Sequence, residues 1–216
     1  MSAPHYFSYT KTGRYYLSGS LKGDYDTVCF ALHGYGQLAS YFVRHFNAEK
    51  LSRILFVVPE APHRFYLSGS NGRVGASWMT KEDRLKDIAD YCAYLDELYR
   101  LFLPQITEAG KVGVLGFSQG VATACRWLTQ SNYHFDFLVN YAGVFPPDLD
   151  PTTSLQKMIK MPVWMVIGNE DEYISVVEFK KNVAAWRNLG YPLQSKIFEG
   201  KHKIYAPVLE TVISDL

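Results

Sequence analysis

Cysteine is scarce in this chain, and charge of either sign is balanced. Only three cysteines occur in 216 residues, Cys29, Cys92 and Cys125. The number is odd, the thiols fall in an expected strand and two expected helices at positions that look internal, and none has a Cys or His neighbour at metal-ligand spacing. That argues against a disulfide framework and against cysteine-based metal binding. Lys and Arg number 22 against 21 Asp and Glu, a formal net charge of +1. With no basic cluster either, electrostatics offers no case for a nucleic acid or an anionic membrane as partner. No apolar run approaches the roughly 20 residues of a membrane-spanning helix. The start, from Met1 to His5, lacks the basic and apolar regions of a secretory signal. Repeats, low-complexity tracts and linkers are missing too. What remains is the composition of a soluble globular protein, expected to form a single domain over residues 1–216 in the cytoplasm.

The apolar pattern supplies the architecture. Continuous apolar runs at 27–32, 54–58, 111–115, 137–143 and 163–167 read as buried strands, and 195–198 as a last one. Short aromatic runs at 6–10 and 14–17 read as a β-hairpin at one edge. Helical spacing covers 40–51, the stretch from Glu82 (with Leu85, Ile88, Cys92, Leu95, Leu98 and Phe102 on one face), 121–128, 176–189 and the C-terminus. Pro104 ends or kinks the second of these. The segment 63–80 reads as a long irregular loop, and such loops are usually functional. Strands alternating with helices imply an α/β fold, with a mostly parallel sheet covered on both faces.

One pentapeptide organises the rest: Gly116-Phe117-Ser118-Gln119-Gly120, between an apolar strand and a helix. In that context G-x-S-x-G is a nucleophile elbow, a strained turn that raises a serine hydroxyl above the sheet. Glycines two residues to either side permit close backbone approach. A serine needs a base, and the base an orienting acid, each following a later strand. Asp171 and His202 meet that demand. Asp148, Asp150, Glu170 and Glu172 compete for the role of the acid. His5, His45, His63 and His134 lie in places that do not fit the order. Two oxyanion donors are also required, and the main-chain N–H groups of Gln119 and Tyr35 suit them, the latter in the loop His33-Gly34-Tyr35-Gly36. His33 then holds that loop and transfers no proton.

These stretches, with Pro59-Glu60-Ala61-Pro62, Ser77-Trp78, Gly168-Asn169-Glu170-Asp171 and Gly200-Lys201-His202, come in an order that resembles the phospholipase/carboxylesterase family. The likeness runs from about Val28 onward. It implies an α/β-hydrolase fold, Ser118, Asp171 and His202 as triad, and Tyr35 and Gln119 as oxyanion donors. The chain departs from the family at Gln37, where an acid is usual, at Val121, where a second glycine is common, and after Asp171. The function expected is a cofactor-free, metal-free serine esterase acting on carboxylic esters or thioesters, small molecules bound without nucleic acid. The alternatives are a silent binding domain on the same fold, or an acyl transferase or peptidase using the same residues. Between 143 and 162 there is room for a short helix and for no large cap domain. Aromatics near the expected mouth (Tyr35, Phe65, Tyr66, Trp78, Phe145, Tyr173) suggest a shallow apolar pocket, with Trp78 and Phe145 as substrate-binding residues and short or medium acyl groups preferred.

Overall fold

The computed structural model describes residues 3–216, so Met1 and Ser2, part of the stretch read for a signal, lie outside the described residues. A seven-stranded sheet forms the centre. It is built from β1 (Tyr15–Leu17), β2 (Thr27–Leu32), β3 (Ile54–Pro59), β6 (Val112–Phe117), β7 (Phe137–Tyr141), β8 (Val163–Gly168) and β9 (Leu193–Phe198), in the order β1-β3-β2-β6-β7-β8-β9. Among the described residues of this sheet, only β1 runs antiparallel to its neighbour. This is the α/β-hydrolase arrangement, a mostly parallel sheet with helices on both faces.

The apolar strands are explained by that double cover. In β2 every residue is buried. Val28, Phe30 and Leu32 point to one face, while Cys29 and Ala31 point to the other. In β8, Val163, Met165 and Ile167 divide likewise from Trp164 and Val166. A strand buried on both sides has no reason to alternate with polar residues. The first face is covered by α2 (Arg84–Leu101), α3 (Leu103–Ala109), α4 (Gln119–Gln130), α5 (Pro151–Met158) and α6 (Val176–Asn188). The second is covered by α1 (Ala39–Phe42) and α7 (Ala206–Ser214). Burial lifts the Cys92 and Cys125 thiols to about 12 and raises Cys29 as well, which leaves all three as inert core groups.

Several elements differ from their sequence reading. The edge hairpin has one arm only: β1 pairs with β3, and residues 6–10 are irregular. The helix expected at 40–51 breaks into α1 and two 3-10 turns, Val43–Phe46 and Glu49–Leu51. Residues 63–80 are not wholly irregular, for β4 (His63–Tyr66) and β5 (Val74–Ser77) pair into a hairpin across the glycine-rich tip. Leu85 is 73% exposed and leaves the buried stripe of α2. Pro104 opens α3, the position where a missing N–H costs nothing. Among the described residues no helix is long and apolar enough to cross a membrane.

Candidate active site

Ser118 stands between the end of β6 and the start of α4 with φ +54° and ψ −117°. That conformation is strained for a residue with a side chain. The flanking glycines make it possible, although the crowding they relieve is not against the serine. A Cβ on Gly116 would lie 2.4 Å from the carbonyl oxygen of Gly120, and one on Gly120 would lie 2.1 Å from that of Leu32. The elbow is therefore pressed into both its own strand and β2.

The Ser118 Oγ lies 2.9 Å from Nε2 of His202, whose Nδ1 lies 2.7 Å from Oδ2 of Asp171. The carboxylate accepts from Nδ1–H, so Nε2 carries the lone pair that faces the serine hydroxyl. The Asp171 side chain has no exposed surface, and its other oxygen accepts from the main-chain N–H groups of Tyr173 (2.9 Å) and Ile174 (3.0 Å). Glu172 accepts from the main-chain N–H of His202 at 3.3 Å. The rings of Phe117 and Tyr173 lie 5.1 and 4.6 Å from the imidazole.

The competing carboxylates have other tasks. Asp148 accepts from Arg126 (2.8 and 3.1 Å) and from Arg84 (2.7 Å), and the Arg126 guanidinium holds its carboxyl below the usual range. Asp150 caps α5, accepting from the main-chain N–H groups of Thr152 and Thr153.

The main-chain N–H of Gln119 opens α4, and that of Tyr35 sits in the loop after β2. Neither has an acceptor among the described residues. The loop around Tyr35 is fixed on both sides. Gly34 N–H donates to Oε1 of Gln37 at 2.8 Å, which gives the unusual Gln37 a structural task. Gly36 N–H donates to Ala76 O, and Ala76 N–H to Gln37 O. His33 anchors the base of the loop. Its Nε2 accepts from Ala61 N–H (3.0 Å), so Nδ1–H donates to Gly34 O (2.8 Å). Burial depresses this ring to about 4, so the imidazole is neutral near pH 7.

Sequence reasoning missed the side chain of Gln119. Its Oε1 accepts from Trp78 N–H (3.1 Å), and its Nε2 donates to Met79 O (2.9 Å) and Ser77 Oγ (3.1 Å). One residue thus offers its main-chain N–H beside Ser118 and ties down the end of β5 with its amide. The departure at Val121 has a partner as well: a Cβ on Gly143 would lie 2.4 Å from Val121 Cγ2, so the small residue stands across the contact instead.

Two expected substrate contacts need correction. Trp78 has no exposed surface, donates from Nε1 to His33 O at 2.8 Å, and packs on Tyr91. Phe145 is 2% exposed and lies 4.4 Å from the Trp186 ring. Both are core residues, because the polar or aromatic partners behind them outcompete exposure. The aromatics that do stand open are Tyr35, whose ring lies 5.2 Å from that of Phe65 at a tilt of 34°, together with Tyr66 and Tyr173. Among the described residues no group of three or more His, Cys, Asp or Glu side chains is placed to hold a metal ion.

Elbow, hydroxyl, imidazole and carboxylate in this arrangement define the class of α/β serine hydrolases. A sequence model of the FSH1 serine hydrolase family matches residues 27–207, and the chain belongs to that family. No curated protein sequence matches it. Solved structures share the fold. Acyl-protein thioesterase 2 of Zea mays superposes with a TM-score of 0.71 at 20% identity, over 94% of this chain and 97% of that one. The phospholipase/carboxylesterase of Dyadobacter fermentans gives 0.65 at 18% identity, over 96% and 97%. The Bacillus cereus carboxylesterase gives 0.67 at 14% identity, over 94% and 92%. The resemblance noted in the sequence thus reappears among the structural neighbours.

Proposed function

We propose that this single-domain serine hydrolase cleaves carboxylic esters or thioesters of short to medium acyl groups through an acyl-enzyme on Ser118. The observation that carries the reading is the unbroken relay from Ser118 Oγ through His202 to Asp171. His202 takes the hydroxyl proton as Oγ attacks the carbonyl carbon. The negative oxygen that results meets the unpaired N–H groups of Tyr35 and Gln119, and such donors contribute about 10²- to 10³-fold each in related chemistry. Collapse expels the alcohol or thiol, which receives its proton from His202. Water then gives a proton to the same nitrogen and attacks the acyl carbon; collapse breaks the bond to Ser118 Oγ, which takes that proton back from His202, and the acid leaves. Asp171 holds the imidazole in the required tautomer throughout.

The preference for short chains rests on what surrounds the serine. Exposed Tyr35 and Tyr173 make a rim, with the Tyr173 ring 4.6 Å from that of His202. A shallow rim desolvates a few methylenes at ~0.8 kcal/mol each and then runs out of wall. A fluorophosphonate probe should label the parent and not Ser118→Ala, and the substitution should lower ester turnover by about 10⁶-fold. Labelling or near-parental turnover of Ser118→Ala refutes the nucleophile. A kcat/KM that climbs steadily to palmitoyl esters refutes the chain-length preference alone.

A further inference from the structure

A cavity of about 540 Å³ lies between the irregular N-terminal segment, the turn after β3 and the outer face of α2. Its volume is that of a small-molecule site, roughly 300–1,000 Å³. We propose that it binds a small amphipathic anion, an apolar or aromatic body bearing one carboxylate, sulfonate or phosphate. Nothing in the proposed reaction uses this cavity.

The charge balance carries the argument. Glu60, 3% exposed, accepts from Arg14 at 2.6 and 3.0 Å and faces Arg64 at 3.5 Å. Two half-exposed guanidiniums therefore share one carboxylate, leaving a positive charge uncompensated at the cavity wall. Lys11 and Lys86 add two cations and Asp90 one anion. Neither lysine has an ion pair among the described residues: Lys11 donates to Pro62 O at 2.6 Å, and Lys86 lies 4.8 Å over the Tyr6 ring. Cations gathered around a concave space with aromatic walls, Tyr6 and Tyr94 among them, select a ligand that has both charge and a ring or chain. The roof can yield to admit it. Residues 4–13 make no main-chain to main-chain hydrogen bond among the described residues, so side chains alone hold this segment down.

The test uses the fluorescent dye 8-anilinonaphthalene-1-sulfonate and its uncharged analogue N-phenyl-1-naphthylamine. The sulfonate should bind saturably, one molecule per chain, and at least about tenfold more tightly than the neutral dye. Arg64→Gln leaves Arg14 on Glu60 and should weaken binding about tenfold, the value of one charge-assisted contact. Ala93→Trp, from an exposed position on α2 that lines the cavity, should fill the space and abolish binding. Thermal unfolding checks that each variant is folded, and Ala89→Trp replaces Ala93→Trp if that one is not. Equal binding of the two dyes, binding unmoved by both substitutions, or no saturable binding overturns the proposal.

Discussion

His33 and His202 each follow a parallel strand of the same sheet, β2 in one case and β9 in the other, and their rings have opposite surroundings. His33 has no exposed surface, and both its nitrogens are committed to main-chain groups, Ala61 N–H and Gly34 O. His202 has a carboxylate on one nitrogen and a hydroxyl on the other. A ring held between an N–H and a carbonyl cannot gain a proton without losing a hydrogen bond in a dry site. A ring between a carboxylate and a hydroxyl can gain one, because the carboxylate stabilises the cation formed. The partners decide the task.

The sharpest break of this comparison is to remove each ring. His202→Ala should lower ester turnover by about 10⁶-fold and leave the unfolding temperature nearly unchanged. His33→Ala should instead destabilise the fold by about 3 kcal/mol, since it opens a buried space and orphans the Ala61 N–H. Denaturant unfolding and steady-state kinetics on both variants decide the matter. Full stability with lost activity in His33→Ala would reverse the assignment.

The carboxylates extend the contrast at smaller scale. Asp171→Asn should cost about 10⁴-fold in kcat, the penalty for a wrong histidine tautomer. Asp148→Asn should stay within a few-fold of the parent in kcat/KM and lose about 2 kcal/mol of stability through Arg126 and Arg84. A large kinetic loss in Asp148→Asn with Asp171→Asn nearly unaffected would exchange the two.

The mildest probe is pH. Unfolded histidine titrates near 6.5, whereas folded His33 is pushed down to about 4. Between those values the unfolded chain binds the extra proton, so stability is complete above about 6.5 and falls as the pH drops toward 4. The total is ~3 kcal/mol. Urea unfolding from pH 7.5 to 4.5, parent minus His33→Ala, isolates this contribution from the carboxylates. A difference that does not change with pH would mean that His33 is not held neutral.

Much of the site was legible because its signals are local. Gly116, Ser118 and Gly120 encode a turn, and the turn needs only its own strand and helix to exist. The order of serine, acid and histidine was legible because each follows a strand in chain order. The segment 63–80 was not, since Gly69 and Gly72 mark a tip without showing that 63–66 will pair with 74–77. Trp78 was misjudged for a related reason. A tryptophan in a loop has the same sequence signature whether it faces solvent or donates to His33 O.

The chain alone therefore determined the strands, the elbow and the residue types able to do acyl chemistry. These follow from apolar periodicity and from backbone conformations that few residues tolerate. Only the tertiary structure decided which of five nearby carboxylates meets His202, that Gln119 clasps Trp78 and Met79, and that one histidine is sealed while the other is poised. Ser118 and His202 are 84 residues apart, and His202 and Asp171 are 31 apart. Their distances are set by the parallel order β6-β7-β8-β9, which brings the C-terminal ends of separate strands to one edge. A hydrogen bond depends on tenths of an ångström across that edge, and no local pattern of residues encodes such a distance.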